Sequence, residues 1–177
     1  PEAAPPRRSS IRMPAEKADV AGLRQTLEAL TGRFASAILS GAVEPGELSV
    51  RLAKPAVAPV LRFLKDEQGF NAFEDLVVFD NLDGPDRGGP RFTVVYRLYR
   101  FPGAARARLA VDIGEGESLP SAVPVYASAN WAEREAFDMF GIRFDGHPNL
   151  RRIYLSDEFE GHPLRKDFPL AGRAGDR

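Results

Sequence analysis

The chain has 177 residues, 44% hydrophobic and 28% charged, with a formal net charge of -1. That length supports one domain with a real core and asks for no second. The near-neutral charge argues against a nucleic-acid binder working through a broad basic face, and the absence of cysteine excludes disulfides, a thiol nucleophile and iron–sulfur clusters held by this chain's own thiolates.

Residues 1–14 are rich in Pro, Arg and Ser and lack periodicity, which predicts a flexible N-terminal arm. An amphipathic helix follows over 18–34, because Val20, Leu23, Leu27 and Leu30 recur at helical steps. Gly41, Pro45 and Gly46 read as punctuation. ELSVRLA, 47–53, alternates and predicts a half-buried strand. A second helix fits 56–65 through Val60, Leu61 and Leu64, with Pro55 near its start and Pro59 in its first turn.

Stretches 73–83 and 91–101 are rich in β-branched and aromatic residues, and 105–114 alternates Ala, Leu and Val with polar residues. Their short connectors, GPDRGGP at 84–90 and a turn at Pro102–Gly103, leave no room for a crossover helix and predict an antiparallel meander. Residues 114–126 read as irregular. A third helix opens at SANWAEREAFDMFG, with Asn130 as its cap and Glu133 completing a capping-box spacing. Gly141 ends it, and Ala132, Ala136, Met139 and Phe140 form its apolar stripe. Beyond, Pro148, Pro163 and Pro169 deny a long helix. The expected fold class is α+β: a mixed or antiparallel sheet of four or five strands with helices packed on it, over 15–142, then an extended docking tail over 143–177.

No apolar run approaches the roughly 18 residues that cross a bilayer, so membrane contact is expected only through a partner. No secretory leader is read at the N-terminus, which makes a cytoplasmic location the default. Both histidines, His147 and His162, sit in Gly-His-Pro tripeptides within this tail. A catalytic pair, a metal pair and a docking strap are three readings of that repetition. No short ligand spacing supports a metal, and no G-x-S-x-G supports a nucleophile. GPDRGGP lacks the ending of a phosphate loop, and GEG at 114–116 is only a fragment of a dinucleotide fingerprint. Glu133, Glu135 and Asp138, with Arg134 among them, read as a solvated helix face. The tail interleaves charge with apolar residues and has no period. Such a segment either lies on another protein or folds back on its own domain.

NWAEREAFDMFGIRFDGHPNLRRI, continuing to DEFEGHPLRKDFPL, resembles the signature of the 30-kilodalton (C) subunit of respiratory NADH:quinone oxidoreductase (complex I). The likeness covers 129–170. It implies a non-catalytic subunit of the peripheral arm that serves assembly and stability and binds no cofactor itself, with FMN and iron–sulfur clusters in partner subunits. It implies contact with the large quinone-site (D) subunit and neighbouring iron–sulfur subunits. It also implies a peripheral position on the cytoplasmic or matrix face of the energy-transducing membrane. The expected interface comprises Glu133, Arg134, Glu135, Asp138, His147, Arg151, Arg152, His162, Arg165, Lys166 and Asp167. The rival within this lineage is the homologous subunit of a membrane-bound hydrogenase or a ferredoxin-dependent photosynthetic complex. Rivals from other classes are a metal-dependent hydrolase using both histidines and a free adaptor domain.

Overall fold

A computed structural model describes residues 19–82 and 89–169. The expected arm over 1–14, most of the 84–90 connector and the last residues of the tail lie outside the described residues. Helix α1 spans Val20–Arg33, and the Asp19 carboxylate caps it by accepting from the Gly22 amide at 2.8 Å. Its buried side is Leu23, Thr26 and Leu30, so a threonine joins the predicted apolar face.

Strand β1, Ile38–Glu44, and strand β2, Glu47–Leu52, form a hairpin through Pro45–Gly46. Gly46 takes a φ of 83° there, the left-handed conformation that a Pro-Gly turn needs at its second position. Strand β1 corrects the reading of this stretch as mere punctuation. Its Gly41 exists for packing: a Cβ there would stand 2.5 Å from the Leu27 Cδ1 of α1. A short 3₁₀ turn, Lys54–Ala56, leads into helix α2, Val57–Asp66, with Pro59 in its first turn as expected.

Strands β3 (Ala72–Asp80), β4 (Phe92–Arg100) and β5 (Ala105–Ile113) form the predicted meander. The five-stranded sheet has the order β1-β2-β5-β4-β3, and β2 runs parallel to β5. The sheet is therefore mixed, and the fold is α+β. Alternation decides its two faces. Leu48, Val50, Leu52, Val94, Tyr96, Leu98, Leu109 and Val111 lie on the helix-covered face and are buried.

Two three-residue strands add to the expected elements. Strand β6, Ser118–Pro120, lies in the stretch read as irregular, and β7, Arg143–Asp145, opens the tail. They pair in parallel as a separate two-stranded sheet. Helix α3, Ala129–Phe140, connects them and packs against β3. No described helix is long and apolar enough to cross a membrane.

Candidate functional site at the junction of the third helix and the tail

Helix α3 starts one residue before its predicted cap. Ser128 is the N-cap residue and makes no side-chain cap bond, so Asn130 lies inside the helix. Glu133 does not reach back to the cap either. It is fully buried, accepting from Ser121 Oγ at 2.7 Å and from the Ala122 amide. Glu133 thus pins the loop after β6 onto α3. Burial pushes its carboxyl up to about 7, against the opposing pull of those two hydrogen bonds.

The first Gly-His-Pro corner meets the same place. His147 Nε2 stands 4.0 Å from Glu133 Oε2, and neither side chain is exposed. That nitrogen donates to the Asn130 carbonyl at 3.2 Å, while Nδ1 accepts from the Asn149 amide at 3.0 Å. The two bonds select the Nε2–H tautomer. Near Glu133, Tyr96 is fully buried, and burial and then the Glu133 charge push its hydroxyl up.

Farther along the helix, Asp138 gathers the tail around itself. Its Oδ2 accepts from the amides of Ile153, Tyr154 and Leu155 at 3.0, 2.8 and 3.2 Å, and its Oδ1 accepts from Arg152 Nη1 at 2.8 Å. Burial alone would raise this carboxyl. The amides of Tyr154 and Ile153, Arg152 and the Leu155 amide outweigh it and hold Asp138 below the usual carboxylate range. Arg134 reaches the other way, donating to the carbonyls of Arg151 and Arg152 at 3.0 and 3.1 Å, with its guanidinium over the Trp131 ring. Arg152 also donates to the carbonyls of Phe159 and Gly161 at 3.0 and 3.1 Å.

The second corner closes the helix. An α-helix leaves its last carbonyls without intrahelical partners, and α3 has no basic residue in its own last turn. The tail supplies what is missing. His162 Nδ1 donates to the Asp138 carbonyl at 2.9 Å, the Leu164 amide to Met139 at 3.2 Å, and Arg165 Nε to Phe140 at 2.6 Å. Burial pushes the His162 imidazole down, as do the nearby Arg165 and Arg152 charges. Neutral and protonated at Nδ1, it serves as a donor. Gly141, at φ 75°, takes the left-handed cap position predicted for it.

The end of the strap is tied to the β3–β4 hairpin and to the loop after β5 through Asp80, Arg91 and Glu115, which the sequence pattern does not single out. Arg91 holds Asp80 in a two-armed pair at 2.9 and 3.0 Å and reaches Asp167 at 2.9 Å. The Lys166 amide donates to Asp80 at 2.9 Å, and Arg165 Nη1 reaches Glu115 at 2.9 Å. An Asp and an Arg flanking a turn-rich connector are the only local signal.

The expected interface residues therefore divide. Glu133, Arg134 and Asp138 are buried within the chain, which overturns the reading of these charges as a solvated face. His147, Arg152, His162 and Arg165 are partly buried and hold the strap to α3. Glu135, Arg151, Lys166 and Asp167 are exposed. Of the two physical alternatives for the tail, folding back on its own domain is what the described part does. Among the described residues, no group of three or more His, Asp and Glu is placed to hold a metal ion.

Comparison with known proteins decides the lineage. The family described as respiratory-chain NADH dehydrogenase, 30 Kd subunit, matches residues 50–174. The chain belongs to this family. The C subunit of NADH-quinone oxidoreductase from Trichlorobacter lovleyi is 42% identical over 154 residues, covering 86% of this chain and 93% of that protein. Its counterpart from Caulobacter vibrioides is 45% identical over 138 residues, covering 78% of this chain and 69% of the relative. Among solved structures, the trypsin-resistant fragment (1-134) of Nqo5 superposes with a TM-score of 0.61 at 33% identity, covering 73% of this chain and 99% of the fragment. A chain of the membrane-bound sulfane sulfur reductase, an archaeal respiratory membrane complex, superposes with a TM-score of 0.70 at 22% identity, covering 83% of this chain and 85% of that one. That last likeness is one of fold. As a 30-kilodalton-type subunit, the chain is one component of a multi-subunit NADH-quinone oxidoreductase. The strap lies within the matched span.

Proposed function

We propose that this 30-kilodalton-type subunit is a non-catalytic structural part of the peripheral arm of NADH:quinone oxidoreductase. Electrons pass from NADH through FMN and iron–sulfur clusters in partner subunits to quinone, and this chain binds none of those groups. It sits against the large quinone-site (D) subunit on the cytoplasmic or matrix face of the membrane. Its exposed Glu135, Arg151, Lys166 and Asp167 contact sister subunits, with Arg152 and Arg165 setting the shape of the strap that presents them.

One observation carries this reading. Glu133, Arg134, Asp138, Arg152, His162 and Arg165 commit their hydrogen bonds to holding the strap and its neighbouring loop, as a scaffold requires. A reacting centre instead needs a base or nucleophile aimed at an open position. The test is reconstitution. The isolated chain should show no NADH:quinone reductase activity, and the membrane complex lacking it should regain activity when it is added. Turnover by the chain alone would overturn the proposal.

The fold likeness to a subunit of another respiratory membrane complex favours a second reading, service in a related enzyme with a different electron donor. Reduction of the purified native complex by NADH separates the two.

A further inference from the structure

Strand β3 ends the sheet order, so among the described residues one of its edges has no strand beside it. The ladder decides which groups face outward. The Asn81 amide donates to the Arg91 carbonyl at 2.8 Å, and the register runs back through Asp80 opposite Phe92 and Val78 opposite Val94. Bonded and non-bonded pairs alternate in an antiparallel ladder. Val77 and Phe79 therefore bond to β4, while Leu76, Val78 and Asp80 turn their N–H and C=O groups away from it. The structure covers one outward donor already: the Leu76 amide meets its neighbour's carboxylate, Asp75 Oδ1, at 2.8 Å.

A groove lies along this edge. It is lined by the consecutive residues Asp75, Leu76, Val77 and Val78, and across from them by Glu135, Ala136, Phe140 and Leu164. A sheet face presents every second residue. Four in a row are the mark of a strand's edge. The floor is apolar, Leu164 at its end is 54% exposed, and the carboxylates at the rim, Asp75 and Glu135, are both exposed. Free edges of apolar strands are a hazard that proteins cover or blunt, and Leu-Val-Val-Phe at 76–79 is such a sequence.

We propose that this edge receives an extended segment of a sister subunit, which adds as a further strand through the outward groups of Val78. The segment carries an apolar side chain into the groove and a lysine or arginine beside it, facing Asp75 and Glu135. Pairing by main-chain hydrogen bonds gives the affinity, and the groove and rim choose the partner. The inference deepens the assembly reading above and rests on it.

The test uses the whole chain, tagged in its native host. Val78→Pro removes an outward N–H and leaves the β4 ladder, which a strand at an edge tolerates. The variant should keep its circular dichroism in isolation and lose most of its co-purification with cluster-bearing partners. Joint reversal of Asp75 and Glu135 to lysine should also cut recovery of partners. Hydrogen exchange on the wild type decides even where the proline variant fails to fold. The Val78 amide should exchange at least ~100-fold more slowly in the complex than in the isolated chain. Wild-type chain that brings down no cluster-bearing partner sinks the assembly reading itself. Wild-type chain that brings them down with an equally fast Val78 amide, or a folded Val78→Pro chain recovered in full, overturns the edge alone.

Discussion

Asp138 and Arg152 stand 14 residues apart in the chain and 2.8 Å apart in space. Asp138 is fully buried, and its carboxylate turns the backbone of 153–155 around itself. The pair makes an irregular segment into a shaped one, because each amide that a loop buries must find an acceptor.

Asp138→Ala removes that acceptor and strands the Arg152 guanidinium. Breaking one side of a buried ion pair costs about 3–5 kcal/mol. Urea denaturation should show a loss of that order, and proteolysis should open the strap between 150 and 160. Asp138→Asn keeps acceptor oxygen for the amides and should cost less. A stability equal to wild type in both variants would show that the strap is held elsewhere.

Buried titratable groups pull stability in opposite directions: the contribution of His162, pushed down by burial, is lost as pH falls below its ordinary 6.5, and two aspartates add to the acid limb, whereas that of Glu133 is lost as pH rises. The folded values of Asp138 and Asp80 lie below the ordinary 3.8 of an aspartate. Their contribution is present above that value and lost as pH falls through the folded values. Glu133 runs the other way. Its folded value is raised to about 7 from 4.5, so the folded state binds the extra proton between those values. Its contribution is present below 4.5 and lost as pH rises through 7. Glu133→Gln should flatten the decline above pH 5 and leave the acid limb intact. At pH 8 the variant should gain on the order of 3 kcal/mol relative to wild type, compared with the difference at pH 4, since one unit corresponds to about 1.4 kcal/mol. Urea midpoints across pH 4–8 measure this.

Gly141→Ala should destabilise through two causes. The residue sits at φ 75°, and a Cβ would stand 2.5 Å from His162 Nε2 and 2.7 Å from Arg165 Nη2. The left-handed conformation alone costs an alanine about 1–2 kcal/mol, and displaced capping groups add to it. A fall in thermal midpoint together with faster exchange at the last turn of α3 is the expected result. A lower midpoint with that turn still protected would assign the cost to backbone strain and not to the strap.

Arg91→Lys keeps the charge and loses the fork that spans Asp80 and Asp167. Two-armed recognition is not available to an ammonium. The variant should lose about 1.5–3 kcal/mol, the range for hydrogen bonds to charged groups, and release the end of the strap. Nuclear magnetic resonance of the Lys166 amide, which donates to Asp80, reads that release directly.

Much of the fold is legible in local pattern. Period-two runs mark β2, β4 and β5, and apolar recurrence marks α1 and α2, because a half-buried element must show one apolar face. Strand β1 escapes such reading because its Gly41 looks like a breaker. The glycine is there for the close approach of Leu27, a contact between elements. Strands β6 and β7 are three residues each, too short to carry a period. The cap of α3 is Ser128 and not Asn130, because Glu133 has two uses at its spacing and the buried one prevails. Nothing local distinguishes a carboxylate that will be solvated from one that will be enclosed.

The lineage, the meander and the two Gly-His-Pro corners were readable from the chain alone, since these rest on residue identity and on local pattern. The folded backbone was needed to show which charges between 133 and 167 turn inward, as Glu133, Arg134 and Asp138 do, and which bind the strap, as Arg152 and Arg165 do. Their partners lie as far as 76 residues away, as Arg91 does from Asp167. A hydrogen bond across that distance depends on where the backbone has been carried, which no spacing along the chain records.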